Sequence, residues 1–549
     1  MRSIIAILLT TAALPLSAQA PTLVVLNAKV FTADSAAPWA EALAVRGDRI
    51  IAVGSSASVR ALQGATTKVI NARGRTLIPG LNDAHVHMGL APWFTVAPAG
   101  QGMPPDPSAS EILEAVSLAA KGLRRGEVIR VIIGPTALDD TTLRRVRLDA
   151  ASPNHGVILS VWSGHGVILN SRLLRRTGID TITRDPLGGS IERDAAGHPT
   201  GLVHEYGWWI VEQRMNAAQP FPVLLAAHRA YARRAMALGI TSVQNMAGAL
   251  DPGTTLRVAC AANIPLRVRL IAFPMTTVRG RLSDQFPAQR CPGAATAHVT
   301  VGGVKYILDG TPVERRAVER APYADRPTSR GSLNFPPDTL AAILQAGLDR
   351  RSQVLLHAVG DSAVRLVLIT MQRLAPAERW RPLRVRLEHG DGLAVDLLPL
   401  ARDLGVVLVQ NPLHLALGPL KSHRFAPERL LNYQPLRSAL LGGVALALGS
   451  DGEPNPFLDL MLATMHPNTP SEAITLEQAL TAYTAGSAFA EGKEREKGRI
   501  AVGMLADFAL LSQDIFSVPL QALPATTSVL TVIGGVMGYE RSAAGRRTR

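Results

Sequence analysis

Residues 77–89 read LIPGLNDAHVHMG, an apolar run that carries His85 and His87 near its carboxyl end. In a β-strand, residues two positions apart point to the same face, so both imidazoles can aim at one ion. An H-x-H pair alone is weak evidence, because it occurs often by chance. The stretch therefore predicts a strand whose end becomes a metal site if further ligands join it.

Further along the chain, apolar strands alternate with amphipathic helices, which is the signature of parallel βα units. Eight such strands predict an α/β fold built on a closed (β/α)8 TIM-like barrel, with its chemistry at the carboxyl ends of the strands. The predicted strands are LIPGLNDAHVH, GITSVQNM, PLRVRLIAF, VGGVKYILDG, SQVLLHAVGD, RVRLEHGD, GVVLVQNP and GVALALGSD.

Ligand-type side chains recur at the ends of these strands, each after an apolar run and before a glycine or a turn. A single buried histidine is as often a hydrogen-bonded core residue as a ligand, but a set at one height on several strands favours a metal site. The candidate metal ligands are His85, His87, Lys305, His357, His389 and Asp451.

Lys305 lies in an apolar strand, where a buried ammonium is costly unless it is neutralised, paired or modified. A salt bridge to Asp309 is one alternative to modification. Both interpretations stay open on the residues alone.

Motifs along nearly the whole chain resemble those of the binuclear amidohydrolases, and in particular the YtcJ-like family, also called amidohydrolase family 3, which includes N-substituted formamide deformylases. Ser163 is a departure, because members of that family usually have Asp-Gly-His where this chain has Ser-Gly-His. The matching stretches are LIPGLNDAHVHMG, SGHGVILNS, GLVHE, GITSVQNM, VKYILDGT, LLHAVGDSAV, RLEHGD, VQNPLH, ALGSD and KGRIAVGMLADFALLS.

The resemblance implies two divalent metal ions, expected to be zinc, with Lys305 carboxylated to N6-carboxylysine as their bridge. It implies that His85, His87 and Asp451 hold one ion and that His357 and His389 hold the other. Asp451 is also the expected catalytic base and acid. The predicted substrate-binding residues are His165, Glu205, Asn245 and Gln410, although polar residues at strand ends can equally cap turns.

The predicted activity is hydrolysis of an amide-type C–N bond, such as N-formyl or N-acyl, in a small molecule by metal-activated water. The same site acting on an ester, lactone or carbamate is the alternative, and a non-catalytic small-molecule-binding barrel is a remote one. A serine hydrolase is disfavoured, because the chain has no G-x-S-x-G motif.

The domain prediction assigns residues 1–20 to a signal peptide, since a basic start, an apolar run and Ser-Ala-Gln-Ala follow one another. Residues 21–78 and 493–549 are predicted to form one composite β-sandwich domain from both termini. The barrel is assigned to residues 79–492, with an inserted, lid-like subdomain at about residues 89–221 after the first barrel strand.

Composition limits the partners. The formal net charge is +14, but the arginines are dispersed and no aromatic residues are interleaved with them, which argues against nucleic-acid binding. We expect an exported protein, periplasmic or secreted, without stable membrane insertion once the signal is removed. Cys260 and Cys291 are compatible with either one disulfide or two unpaired thiols. A homo-oligomer is neither indicated nor excluded.

Overall fold

A sheet of eight parallel strands forms the centre of the molecule. The computed structural model describes residues 20–88, 90, 92–100, 104–275, 291, 298–417, 423–430 and 433–541, so all but the last residue of the predicted signal peptide lies outside the described residues. The sheet confirms the predicted barrel. Its strands in sequence and spatial order are Leu81–Val86, Ile240–Ala247, Arg267–Ala272, Val299–Ile307, Val354–Ala358, Arg386–His389, Val407–Gln410 and Ala445–Leu448.

The barrel is nearly closed between its first and eighth strands, and the link there is made by the residues just after the eighth strand. The Asp451 N–H donates to the His85 carbonyl oxygen at 2.8 Å, and the Ser450 N–H donates to the Asp83 carboxylate at 2.9 Å. Gly449 makes this approach possible, because a Cβ there would lie 2.4 Å from the His85 backbone nitrogen. Closure therefore brings His85 and Asp451 together.

Helices cover the outside of the barrel through one apolar stripe each. Asp361–Leu374, for example, buries Ala363, Val364, Val367 and Met371, which follow helical spacing. The main helices after the first strand are Phe221–Ala237, Pro252–Ala262, Pro337–Arg350, Asp361–Leu374, Leu398–Asp403, Leu436–Leu441, Pro456–Met465, Leu476–Thr481 and Ser487–Ala490.

An inserted subdomain follows the first barrel strand, as predicted. Its six-stranded sheet has its own core, in which residues such as Ile129, Val131 and Leu159 are buried. The strands are Thr95–Val96, Val128–Ile133, Gly156–Val161, Gly166–Leu169, Gly189–Arg193 and Pro199–Glu205, and the helices are Ala109–Gly122, Pro135–Asp139, Arg145–Ala151, Ser171–Thr177 and Tyr206–Ala217.

Both ends of the chain share one sheet, which confirms the composite β unit. In this six-stranded sheet, Phe508–Leu511 pairs antiparallel with Thr76–Pro79. Its other strands are Lys29–Phe31, Trp39–Ala40, Ser528–Ile533 and Val536–Glu540, and a second sheet contains Leu23–Leu26, Ala42–Arg46, Arg49–Gly54 and Lys68–Asn71.

Cys260 and Cys291 form a disulfide, with their Cα atoms 5.4 Å apart. The bridge ties the helix Pro252–Ala262 to the connection that precedes the fourth barrel strand. Of the two states that the sequence leaves open for these cysteines, the structure shows the paired one. In the described part of the chain, no helix is both long enough and apolar enough to cross a membrane.

Candidate metal centre

Asp451 lies at the meeting point of two groups of candidate ligands at the carboxyl ends of the barrel strands. Its Oδ1 is 3.3 Å from His85 Nε2 and 3.4 Å from His87 Nε2. Its Oδ2 is 3.5 Å from His414 Nε2 and 3.9 Å from His389 Nδ1. Each group supplies two imidazoles and a carboxylate within reach of one ion.

The charge of Asp451 is stabilised by these imidazoles. Burial favours the neutral acid, but the neighbouring His85 and hydrogen bonds from His414 and His87 hold the pKa of Asp451 well below its usual value. The residue therefore stays an anion, which is the form that ligates a cation and accepts a proton.

His85 is oriented from behind by Glu388. The Glu388 Oε2 lies 2.6 Å from His85 Nδ1, and Arg386 Nε donates to the other carboxylate oxygen at 2.6 Å. Burial, followed by the charge of Lys305, lowers the pKa of His85 to about 4. The ring is thus neutral with Nε2 directed to the centre, an arrangement typical of a metal-ligating histidine.

A second group of imidazoles lies across the centre from His85. The Nδ1 of His389 is 2.8 Å from Asn411 Oδ1, which leaves Nε2 for a ligand. The rings of His357 and His389 are 4.6 Å apart. Burial and the neighbouring imidazoles keep the pKa values of both well below the ordinary value, so both rings are neutral.

One buried histidine nitrogen is free to bind a metal ion. Within the described chain, Nε2 of His357 is buried without a hydrogen-bond partner, an arrangement that is costly unless something else binds there. Neutral imidazoles beside a carboxylate are the donor set that zinc prefers. The residues present therefore fit divalent metal ions.

Lys305 is buried beside the first group, and its Nζ is 2.9 Å from His85 Nε2. Burial lowers its pKa to about 8. The alternative of a salt bridge to Asp309 is wrong, because the Asp309 carboxylate accepts the backbone N–H groups of Val318, Val359 and Gly360. Lys305 Nζ thus lies beside the candidate ligand His85, and its role as a ligand stays a prediction.

A cavity of about 490 Å³, including its open mouth, leads to this centre. His165 lines it, and its Nδ1 lies 2.9 Å from the buried Glu205 carboxylate. Burial opposes a charge on the ring, but Glu205 outweighs it and raises the pKa of His165. The structure therefore brings the predicted residue His165 into the cavity, with Glu205 as its support.

Asn245 and Gln410 are placed differently. Asn245 Oδ1 accepts the Met88 N–H at 3.0 Å, and the Gln410 side-chain amide donates to the His389 carbonyl oxygen. Neither is among the residues that line the cavity. The contacts described for both hold the backbone beside candidate ligands.

Sequence reasoning did not assign His414 or Glu388. His414 lies in the 3₁₀ helix Pro412–Leu417 just after the seventh strand, within the motif VQNPLH. The signal that could have found it is a histidine close to a barrel strand end. Glu388 precedes His389 on the sixth strand, and its carboxylate reaches His85 Nδ1 inside the barrel, where it supports a candidate ligand.

A family model described as "Amidohydrolase family" matches residues 68–539. The chain belongs to the amidohydrolase family. The chain is also similar to the Protein LONG AFTER FAR-RED 3 of Arabidopsis thaliana, at 31% identity over 94% of this chain and 91% of that protein. It is 27% identical to the N-substituted formamide deformylase of Arthrobacter pascens, over 95% of this chain and 99% of that protein.

A solved structure agrees on the architecture of this amidohydrolase. An uncharacterized metal-dependent hydrolase from Pyrococcus horikoshii aligns with a TM-score of 0.69, at 18% identity, over 91% of this chain and 99% of that one. At this identity the likeness shows a shared fold, while the site of this chain is described by its own residues.

Proposed function

We propose that this protein is a metal-dependent hydrolase that cleaves an amide-type C–N bond in a small molecule. The observation that carries the proposal is that one carboxylate, Asp451, is shared between two groups of histidines at the mouth of the barrel. Membership of the amidohydrolase family supports the reaction class, and the likeness to a formamide deformylase supports the C–N bond.

The ligands would divide between two ions, for which zinc is the proposed metal. His85, His87 and Asp451 would hold one, while His389 and His414, with His357 beside them, would hold the other. When bound, the ions supply a Lewis acid and lower the pKa of water toward about 7. Carboxylation of Lys305 is part of the proposal, because it would turn a buried cation beside His85 Nε2 into an anionic ligand.

Asp451 is the proposed proton carrier. Its carboxylate lines the cavity and is kept ionised, so one of its oxygens can take the proton from the attacking water. The same oxygen then hands the proton to the nitrogen of the departing amine, which avoids release of an amide anion. Such general base and acid action is typically worth about 10²–10⁴ in rate.

His165 is the proposed orienting group for the substrate carbonyl. Because Glu205 occupies Nδ1 and favours the protonated ring, Nε2 is left as a donor toward the cavity. A donor there can stabilise negative charge that develops on the carbonyl oxygen. The buried Glu205 keeps this donor in one orientation.

Export to the periplasm or the exterior remains part of the proposal. The leader-like residues 1–20 support it, and so does the Cys260–Cys291 disulfide, since such bridges persist mainly in oxidising compartments. Fractionation of the native host, with detection of the cleaved N-terminus, tests it.

Hydrolysis by the chelator-treated and the zinc-loaded protein tests the activity, with N-formyl, N-acyl, cyclic-amide and matched ester compounds as substrates. We expect amide turnover that is lost on chelation and restored by zinc. Asp451→Asn should lower kcat by about 10²–10⁴, whereas Asp349→Asn, an exposed residue on a barrel helix, should leave it unchanged. Near-full activity of Asp451→Asn would contradict the mechanism, and turnover of the esters alone would contradict the C–N assignment.

Lys305 carboxylation has its own test, which is zinc stoichiometry after reconstitution in bicarbonate and in carbon-dioxide-free buffer. We expect more zinc ions bound per protein molecule, closer to two, after reconstitution in bicarbonate. Equal stoichiometry in the two buffers would contradict the carboxylated bridge.

A further inference from the structure

Three side chains with a hydroxyl or carboxylate group line the cavity without belonging to the candidate ligands or to the His165–Glu205 pair. They are Ser163 from the insertion, Thr311 from the loop after the fourth barrel strand, and Asp391 from the loop after the sixth. We call these three residues the acceptor set. Their hydrogen-bonding state decides what a substrate must offer beyond its scissile bond.

The hydroxyl protons of the acceptor set are already engaged. Ser163 Oγ donates to Oε1 of Glu314, and Thr311 Oγ1 donates to Oε2 of the same carboxylate. A hydroxyl has one proton and two lone pairs. With its proton held by Glu314, each hydroxyl presents only a lone pair to the cavity.

The remaining lone pairs are partly used by the backbone. The His165 N–H donates to Ser163 Oγ at 3.3 Å, and the Val313 N–H donates to Thr311 Oγ1 at 3.2 Å. These contacts keep the two hydroxyls in place and leave one acceptor site on each. Glu314 therefore fixes the polarity of this part of the cavity from behind it.

Asp391 adds a carboxylate, which in its ionised form only accepts hydrogen bonds. It is buried at the cavity. Among the lining side chains that the structure describes, none is a lysine or an arginine. The apolar ones include Val313, Val359 and Leu417, and the indole Nε1 of Trp162 is a buried donor without a hydrogen-bond partner among the described residues.

We infer that the substrate carries, at a distance from its scissile bond, a hydrogen-bond donor or a cationic group such as an ammonium or a ring N–H, and not a carboxylate or phosphate. The inference rests on the proposed function for the identity of the scissile end. An anionic group placed against Ser163 and Thr311 would face acceptors whose protons are held by Glu314, and an unpaired buried polar group is costly. The apolar lining fits a hydrocarbon or aromatic body between the two ends.

Binding of inert analogues tests this inference separately from turnover. The probes are ketones in which a methylene replaces the amide nitrogen, identical except for a distal ammonium, carboxamide, methyl or carboxylate group. Calorimetry on the zinc-loaded protein should give a Kd about tenfold or more lower for the ammonium or carboxamide than for the carboxylate, which corresponds to about 1.4 kcal/mol. Equal or tighter binding of the carboxylate would overturn the inference.

The matching amides, measured for kcat/KM, then report on the proposed function. If the amides are not turned over but the analogues keep the binding preference, the proposed hydrolase activity is rejected and the inferred substrate preference stands. If the amides are turned over but the carboxylate analogue binds best, the hydrolase activity stands and the inferred preference is rejected.

Glu314→Gln tests the cause of the preference. Its side-chain amide can donate to one hydroxyl, which then turns its own proton to the cavity, so we expect ammonium and carboxylate analogues to bind within about threefold of each other. The matched control is Glu378→Gln, the same change at an exposed position. If Glu314→Gln keeps the wild-type preference between the analogues, the role of Glu314 is contradicted. If Glu314→Gln does not fold, the same binding measurement is made on Asp391→Asn.

Discussion

Three residues of the site adopt a backbone conformation that side chains other than glycine rarely take. The φ angles are +67° at His389, +57° at Asp451 and +53° at Glu205. Such conformations cost about 1–3 kcal/mol each and persist where the surroundings enforce them. These conformations orient the candidate ligand His389, the shared carboxylate of Asp451, and Glu205, which supports His165. The protein therefore gives up local stability at the residues that the proposed chemistry requires in a fixed orientation.

Glu388 is a positioning residue for His85, and its replacement should act on metal binding. In Glu388→Gln, Nδ1 of His85 loses its anionic partner and the buried Arg386 loses its counter-charge. We expect zinc affinity to fall about 10- to 100-fold, measured by competition with a chromogenic chelator. Glu472→Gln is the control, because Glu472 accepts hydrogen bonds from Ser438 and belongs to neither candidate ligand group. Unchanged affinity in Glu388→Gln would refute this role.

At the residue scale, candidate ligands at the end of a strand are easier to predict from the sequence than candidate ligands in a turn. His85, His357 and His389 follow apolar runs, so their height in the barrel is readable. His414 was missed because it lies in a 3₁₀ helix, where no strand periodicity fixes its direction. The support of Asp309 by three backbone N–H groups likewise depends on loops that meet only in the fold.

The insertion is held over the barrel by a network of four charges. Arg315 Nη1 is 2.7 Å from Asp139 of the insertion, and its Nη2 is 2.8 Å from Asp325. Arg424 contacts both carboxylates. Because Arg315 and Arg424 are largely buried, this latch should be stronger than exposed ion pairs, which are worth about 0–1 kcal/mol.

Removal of one charge should loosen the insertion. In Asp139→Asn we expect faster hydrogen exchange in Pro135–Asp139 and a KM about three- to tenfold higher, equivalent to about 1 kcal/mol, with kcat nearly unchanged. Asp194→Asn is the control, since that carboxylate caps an exposed turn in the same insertion. Wild-type exchange and KM in Asp139→Asn would show that the network does not hold the insertion.

At the element scale, all eight barrel strands were predictable because each lies in a short segment rich in apolar residues, and these segments alternate with amphipathic helices. Several of the strands also carry polar residues that point into the barrel, as in Leu81–Val86 and Arg386–His389. The existence of the insertion was also predictable, because its length exceeds that of any ordinary loop. Its latch was not, since Asp139, Arg315 and Arg424 are far apart in sequence and charged residues on loops carry no periodic signal.

In the whole molecule, the two ends of the chain are joined by side chains as well as by strands. Asp514 near the C-terminus accepts from Lys29 Nζ at 2.9 Å and from Thr76 Oγ1 at 2.8 Å. Burial alone would raise the pKa of Asp514, but hydrogen bonds from Ser517, Lys29 and Thr76 lower it to about 2. The contact therefore stabilises the fold only while the carboxylate is ionised.

Asp514→Asn should lower the free energy of unfolding by about 1–2 kcal/mol at pH 7. Because the folded pKa lies below the ordinary value, the wild-type advantage is present above about pH 4 and is lost as pH falls toward about 2. Urea unfolding of both proteins at pH 7, 5, 4 and 3 measures the difference. A penalty that stays constant down to pH 3 would contradict the assigned role of the charge.

The central claim is that metal ions bind around Asp451, and anomalous diffraction at the zinc edge from crystals of the zinc-loaded protein tests it most directly. We predict one peak within bonding distance of His85, His87 and Asp451, and a second beside His357, His389 and His414. Zinc-edge maps with no peak at Asp451, from crystals whose zinc content is verified by elemental analysis, would contradict the account.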